Sequence, residues 1–247
     1  MNEFAGIPVV IRAPGCASSA PRCAQCAARP FSVCAAVPDA DLGLLEALAE
    51  TVDLARGDIL FREDDPAVRV YNVVAGSMRL SKLTPDGRRQ ILGFAFAGDF
   101  LGLDRAAIHV CTAEALEPAR ICRFERRRFD ALLAERRELE SALLARAGEV
   151  LAATQAQVLR LGHKSALERL ASFLLALPDF DPSRPAPAGR IPLPMSRSDI
   201  ADYLGLTLET VSRSFSRLRR QGVIRQLSLS EMVVERPEAL RAAAGEI

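Results

Sequence analysis

Met195-Ser196-Arg197-Ser198-Asp199-Ile200-Ala201-Asp202-Tyr203-Leu204-Gly205-Leu206-Thr207-Leu208-Glu209-Thr210-Val211-Ser212-Arg213 is the most informative stretch of this chain. Ser196 can cap a first helix, with Asp199 three residues on as the acidic partner that reaches back to the cap. Gly205 supplies a permissive turn, and Thr207 can cap a second helix. Ile200, Leu204, Leu206, Val211 and Leu218 are placed to pack the two helices together. This is the layout of a helix-turn-helix. Glu209, Ser212 and Arg213 stand at i, i+3 and i+4, so they project from one face near the N-terminal end of the second helix, the part that enters a major groove. Arg213 suits guanine O6 and N7, Glu209 can accept from a cytosine amino group, and Ser212 can make a smaller contact nearby. A hydrated Glu209–Arg213 pair is the plainer alternative. It is outweighed because cap, turn glycine, packing residues and base readers stand in register.

Downstream, Arg217, Arg219, Arg220 and Arg225 place positive charge for phosphates where few acids offset it. The residues expected to touch DNA are Glu209, Ser212, Arg213, Thr207, Arg197 and Arg217. After Gly222, the runs Val223–Leu227 and Met232–Glu235 read as a strand pair, the wing of a winged helix-turn-helix. Upstream, Pro178 to Pro194 reads as an extended connector that follows a helix over Ser165–Leu177. Before that helix, Leu139, Leu143, Ala147, Val150, Thr154, Val158 and Leu161 recur every three or four residues. Such a seam suits a partner helix, and the same spacing would also serve a helix lying on its own barrel.

Between Asp53 and Phe124, β-rich runs alternate with the turn signals Arg56-Gly57-Asp58, Asp64-Asp65-Pro66, Ala75-Gly76, Thr84-Pro85-Asp86-Gly87 and Ala97-Gly98-Asp99. That rhythm predicts a small antiparallel barrel or jelly roll. Ahead of it, Asp39 is a plausible N-cap for a short amphipathic helix carrying Leu42, Leu45, Leu48 and Val52. The first 35 residues hold few periodic apolar positions and four cysteines, Cys16, Cys23, Cys26 and Cys34.

The chain's 247 residues can bury a substantial core without disulfides, and 49% apolar with 26% charged residues is ordinary globular composition. A net charge of +1 means that any DNA site depends on locally placed charge. The N-terminus makes a poor signal peptide, and no apolar run approaches the ~18 residues that cross a bilayer. A cytoplasmic protein with no membrane partner is expected, in which grouped cysteines point to metal or redox chemistry. Cys23-Ala24-Gln25-Cys26, seven residues and then Cys34 give three thiols in a small loop. A cubane iron–sulfur cluster wants a fourth thiolate, and Cys16, Cys111 and Cys122 are the candidates.

Leu204-Gly205-Leu206-Thr207-x-Glu209-Thr210-x-Ser212-Arg213 resembles the recognition helix of the CRP/FNR family. Its Glu-x-x-Ser-Arg form is similar to the FNR branch, since the CRP branch has Gly where Ser212 stands. The order of arm, β-roll, long helix and winged helix matches over nearly the whole chain. The resemblance implies an α+β fold: a β-roll like that of cyclic-nucleotide-binding domains, a long dimerisation helix, and a C-terminal winged helix-turn-helix. The segments are then a cluster-binding arm over 1–35, a sensor roll over 36–126, the dimerisation helix over 127–162 and the DNA-binding domain over 163–247. It further implies a homodimer joined through Leu143, Ala147, Val150, Thr154, Val158 and Leu161. The dimer would bind promoter DNA at a palindrome related to TTGAT-N4-ATCAA, with half-sites about one turn apart, and would recruit or occlude RNA polymerase.

For the sensor, the resemblance selects Cys122 as fourth ligand beside Cys23, Cys26 and Cys34, and implies a [4Fe-4S] cluster that supports dimer and DNA binding until oxygen degrades it. Cys16 and Cys111 become extra thiols. The C-x7-C spacing departs from the enterobacterial C-x5-C and resembles alphaproteobacterial relatives. Four thiolates would also satisfy zinc, as a structural or thiol-switch centre. A small-molecule ligand in the roll is a further alternative. A cyclic nucleotide is disfavoured, because Gly98-Asp99-Phe100-Leu101-Gly102 has Asp where the ribose-binding Glu would stand and Ile108–Ala113 offers no arginine for the phosphate. An enzyme is not expected: Cys23-x-x-Cys26 has no βαβ unit around it, and neither His109 nor His163 sits beside an evident nucleophile and acid.

Overall fold

The computed structural model describes residues 23–102, 106–180 and 190–245, so Cys16 and the N-terminal segment before Cys23 lie outside the described residues. Three 3-10 turns, Cys23–Gln25, Arg29–Phe31 and Val33–Ala36, make up the described part of the arm. The arm packs better than its sequence suggests: Ala28, Val33 and Val37 are buried. A further 3-10 turn, Asp39–Asp41, leads into α1 (Leu42–Leu48). Asp39 does not cap that helix; its carboxylate pairs instead with Arg29 at 2.7 Å. Val52 is not on the helix either, but in strand β1 (Ala49–Leu54). Leu42 and Leu45 satisfy the helix's buried face, and the chain then turns extended at Ala49.

Two four-stranded antiparallel sheets form the expected roll. One runs β1-β8-β3-β6 and the other β2-β7-β4-β5. Their strands are β2 (Ile59–Phe61), β3 (Arg69–Ala75), β4 (Met78–Leu83), β5 (Arg89–Ala95), β6 (Phe100–Leu101), β7 (Thr112–Ala115) and β8 (Ala119–Glu125). Val73, Met78, Ala113 and Ile121 are fully buried between the sheets. Gly76 turns the chain from β3 to β4 at φ +83°, and a Cβ there would lie 2.6 Å from the Pro118 carbonyl oxygen. Only glycine fits both the backbone angle and the space.

Helix α2 (Arg126–Glu135) is separated from the long α3 (Arg137–His163) by one extended residue, Arg136. Phe100, Phe124 and Phe129 stack where α2 meets the roll, two of their ring pairs 5.2 Å apart. Burying each ring contributes roughly 2 to 3 kcal/mol. Most of α3 stands clear of its own chain. Leu143 packs onto the protomer's own core, whereas Leu144, Leu151 and Val158 are 69%, 59% and 64% exposed. Val150 and Leu159 are exposed as well, so of the expected seam Leu143 is the member turned to its own core, and Leu144 faces out in its place.

The remaining helices are α4 (Ala166–Phe180), α5 (Arg197–Leu204), α6 (Leu208–Arg220) and α7 (Pro237–Ala243). Strands β9 (Arg190–Pro192), β10 (Ile224–Ser228) and β11 (Glu231–Val234) form a three-stranded wing ordered β10-β11-β9. Part of the proline-rich stretch is thus a strand rather than a connector. As an edge strand, β9 tolerates Pro192 because it needs no ladder donor on its open side. Among the described residues no helix is long and apolar enough to cross a membrane.

Gly76→Ala should lower stability by about 2 kcal/mol, through left-handed backbone cost and the Pro118 clash. Urea denaturation checks this, and an unchanged midpoint would show that the turn relaxes freely.

Candidate DNA-reading surface and thiol site

The helix-turn-helix is built by its caps. The Ser196 hydroxyl accepts from the Asp199 N–H at 3.1 Å, and Asp199 accepts from the Ser196 N–H at 2.9 Å, a complete capping box. Gly205 ends α5 at φ +61°, and the Thr207 hydroxyl accepts from the Thr210 N–H at 3.2 Å to start α6. Val211, Phe215 and Leu218 bury the inner face of α6, while Glu209, Ser212, Arg213 and Arg217 stand exposed on the other. Backbone and Thr207 hydrogen bonds at the helix start hold the Glu209 carboxyl below the usual range, so it is an ionised acceptor at neutral pH. Among the described residues Glu209 and Arg213 form no ion pair with each other.

Arg197 is less open than its sequence position implies. Its guanidinium lies 3.1 Å over the Phe215 ring and donates to Gln226 Oε1 at 2.6 Å. Burial first, then the neighbouring Arg219, push it down to about 10, so it remains charged at neutral pH. Its Nη1 is buried without a partner. Arg197 lines a groove of about 520 Å³ between α6 and the wing, whose wall also includes Arg56, Ser212, Arg219 and Gln226. Arg56 comes from the β-roll and was not expected here.

The roll also grips α5 directly. Asp199, almost fully buried, accepts from Arg79 Nη1 at 2.8 Å and Arg89 Nη2 at 2.9 Å. Arg89 also reaches Asp202 at 2.7 Å, and Gln90 donates to the Asp202 carbonyl at 2.6 Å. Beside these bonds, the Phe94 ring packs against Tyr203 and Phe173 at 5.3 and 6.1 Å, and Ile91 enters the core of the DNA-binding domain. Burial alone would raise the Asp199 carboxyl. The Ser196 hydrogen bonds and the two arginines override it and hold the group below the usual carboxylate range. Nothing in the sequence marks Arg79 and Arg89, since charged residues on a strand read as a solvated face.

The cysteines named as ligands lie in one region at one end of the roll, three of them in a shared cluster and Cys26 near it. Cys23 and Cys34 from the arm and Cys122 from β8 are buried in a common apolar cluster with Phe124, Phe129 and Leu139, and Cys26 is half-buried beside them. Glu46 Oε1 accepts from the Cys23 N–H at 2.6 Å, and Ser32 Oγ from the Cys34 N–H at 3.2 Å, which fixes both turns. Burial, then Cys34, Glu46 and Cys26, push the Cys23 thiol up to about 11. Burial dominates the upward shifts of Cys34 and Cys122 too, and Cys122 also feels the charges of Cys34, Cys23 and Cys26. Such buried thiols stay protonated at neutral pH. Among the described residues no three His, Cys, Asp or Glu side chains close around a single point as a metal-ion shell. Cys111 is buried in a different cluster, inside the roll, as is His109, stacked on Phe61 at 3.8 Å. None of the five described cysteines is in a disulfide.

A β-roll, a long helix with an outward apolar stripe and a capped winged helix-turn-helix define a DNA-binding transcriptional regulator rather than an enzyme. Residues 51–136 match the family model described as a cyclic nucleotide-binding domain, and residues 168–243 the one described as a Crp-like helix-turn-helix domain. The chain is 41% identical over 223 residues to the nitrogen fixation regulation protein FixK of Bradyrhizobium diazoefficiens, covering 90% of this chain and 94% of that one. It is 33% identical over 207 residues to the transcriptional activator protein FnrL of Cereibacter sphaeroides, covering 82% and 84%. The solved structure of FixK2 from Bradyrhizobium japonicum is similar with a TM-score of 0.74 and 37% identity, over 79% of this chain and 97% of that one. This chain belongs to the CRP/FNR family of transcriptional regulators.

Asp199→Asn should cost roughly 3 kcal/mol, because it leaves two largely buried arginines without their shared charge. The carboxyl is depressed in the folded state, so its contribution is complete above its unfolded pKa of about 3.9 and is lost as pH falls through the lower folded value. Urea titrations at neutral and acid pH should show the variant's deficit shrinking on acidification; a deficit independent of pH would refute the charge clamp.

Proposed function

We propose that this regulator is a cytoplasmic, oxygen-responsive homodimer that binds a TTGAT-N4-ATCAA-like promoter palindrome and acts mainly as an activator through RNA polymerase. The observation that carries the sensing part is that Cys23, Cys34 and Cys122 share one apolar cluster at the foot of α2 and α3, with Cys26 close enough to feel them electrostatically. A lone zinc ion needs every sulfur about 2.3 Å from one centre. A [4Fe-4S] cluster asks instead for four thiolates on separate irons, and the chain offers four cysteines in this region. The activator names of the relatives support the direction of control.

When bound, the cluster supplies an oxygen-labile link between the arm and the roll. The chain's own residues do the rest. Cys23, Cys26 and Cys34 would tie down the arm and Cys122 would anchor it to β8, while the arm's last turn rests on the start of α3. The outward stripe of Leu144, Leu151 and Val158 requires a partner, and a second copy of α3 presents the same apolar face. In the DNA complex, Arg213, Glu209 and Ser212 read base edges, whereas Thr207 and Arg217 lie along the backbone. A phosphate entering the groove would meet the charges of Arg56, Arg197 and Arg219.

Anaerobic purification should yield brown protein with about four irons and four labile sulfides per chain, and air should bleach its spectrum. Colourless protein with zinc, or with no metal after anaerobic reconstitution, would overturn the oxygen-sensing role and leave DNA binding intact. Arg213→Ala should lose ~1 to 3 kcal/mol on the matched site and far less on a site altered at its base pair, whereas Arg220→Ala should weaken all sequences alike. Equal losses for Arg213→Ala on matched and altered sites would remove it from the base readers.

A further inference from the structure

The turn at Gly98-Asp99, between β5 and β6, is touched by three separate parts of the chain. From the arm comes Phe31: a Cβ added to Gly98 would lie 2.6 Å from the Phe31 carbonyl oxygen and 2.8 Å from its Cβ, and Gly98 itself has φ +97°. The arm therefore rests directly on bare backbone. From the sheet comes Asn72, buried and directly opposite Cys122 in the β3–β8 ladder. With its amide turned to satisfy both ends, the nitrogen donates to the carbonyls of Gly98 at 3.2 Å and Asp99 at 3.3 Å. From α3 comes Arg146, whose guanidinium Nη2 is ion-paired with Asp99 Oδ1. The other Asp99 carboxylate oxygen accepts from the Phe96 N–H at 2.8 Å and closes the turn.

We propose that Asp99 and Arg146 are positioning residues that carry the state of the cysteine site to α3. The proposal rests on the oxygen-sensing role of that site. Besides the direct packing of the arm's last turn on the start of α3, two routes out of the site, the arm through Phe31 and the Cys122 strand through Asn72, end on this one turn, whose Asp99 holds the helix farther along. Arg146 falls between Leu144 and Ala147, beside the outward stripe, so displacing its partner shifts or rotates the surface that meets a second copy. A fallback acceptor is already in place: Arg146 Nη1 pairs with Glu149, one turn along α3, at 2.6 Å. The arginine can leave Asp99 without being stranded, which makes the contact breakable at the small energies a switch can supply.

The test uses the whole chain, reconstituted anaerobically, as wild type, Arg146→Gln and Arg146→Lys. Iron, labile sulfide and visible spectrum are recorded first, then the dimer dissociation constant by analytical ultracentrifugation before and after air bleaching. The ratio of bleached to loaded dissociation constants should fall roughly five-fold in Arg146→Gln, with cluster content unchanged, and should largely recover in Arg146→Lys. A wild-type ratio in Arg146→Gln at equal cluster content would overturn the joint while leaving the sensor standing. Wild-type protein that takes up no iron would instead remove the sensing role. The joint would then be read from hydrogen exchange of the α3 amides in Phe31→Ala, Arg146→Gln and the double variant: non-additive changes support the coupling, and additive ones refute it.

Discussion

Strand β8 serves two cores at once, and the period-two alternation of its side chains sets what every other part can do. Ala119 and Ile121 point between the sheets of the roll, while Cys122 and Phe124 point out to the cluster shared by the arm, α2 and the start of α3. Pairing with β1 on one side and β3 on the other fixes its register, Cys122 standing against Thr51 and Asn72. A slip of one residue would bury Cys122 inside the roll and turn Ile121 out to the arm. The apolar filling of the roll therefore specifies where a thiol stands relative to the helix that follows. Packing, rather than any polar contact, places the fourth cysteine beside the other three.

A different balance governs the contact between roll and DNA-binding domain. Ile91, Phe94 and Phe96 supply the apolar burial, and a core of that kind tolerates sliding. The Arg79–Asp199–Arg89 network adds direction. Its stabilisation is modest once desolvation is counted, but each bond has a narrow geometry, and the same carboxylate also closes the capping box of α5. The start of the helix-turn-helix is thus indexed to the β4–β5 hairpin. At its other end, the α5 carbonyls of Tyr203 and Leu204 accept from Gln157 on α3 and Arg169 on α4. The base-reading face of α6 is left open because the elements that hold the motif approach from behind.

What the sequence revealed and what it hid follow from the range of each interaction. Ser196, Asp199, Gly205 and Thr207 were legible because caps and turns are local chemistry. The roll was legible because its turns need Gly57, Gly76, Gly87 and Gly98 at positive φ between apolar runs. The long helix was legible, and Ala147, Val150, Thr154 and Val158 of the expected seam stand exposed on it; Leu143 is the member that packs on its own chain instead, with Leu144 facing out. The seven-residue recurrence of Leu144, Leu151 and Val158 was the available signal. Val52 was misplaced because a short helix and the strand after it can share apolar spacing across their junction. Arg56, Arg79, Arg89 and the Asp99–Arg146 pair were hidden altogether. Their partners lie far along the chain, and an isolated charged residue carries no mark of a distant counter-charge.

The composition of the α3 stripe bears on why a small perturbation could be enough. Positions one heptad apart carry Leu144, Leu151 and Val158, but the positions between them in a two-stranded seam carry Ala147, Thr154 and Leu161. Ala147 and Thr154 contribute far less apolar area than leucines would, at about 25 cal/mol per Å². Leu161 is partly committed to its own chain, where it lies against the turn at Gly205. In the proposed dimer a seam of this kind would bury less apolar area than one filled with leucines. Shifting such an equilibrium decisively takes only a few kcal/mol of difference between its states. A tighter, leucine-filled seam would bind more strongly and would be deaf to the same signal. Weak middle positions and a breakable arginine beside Leu144 would therefore be consistent parts of the responsive helix proposed above.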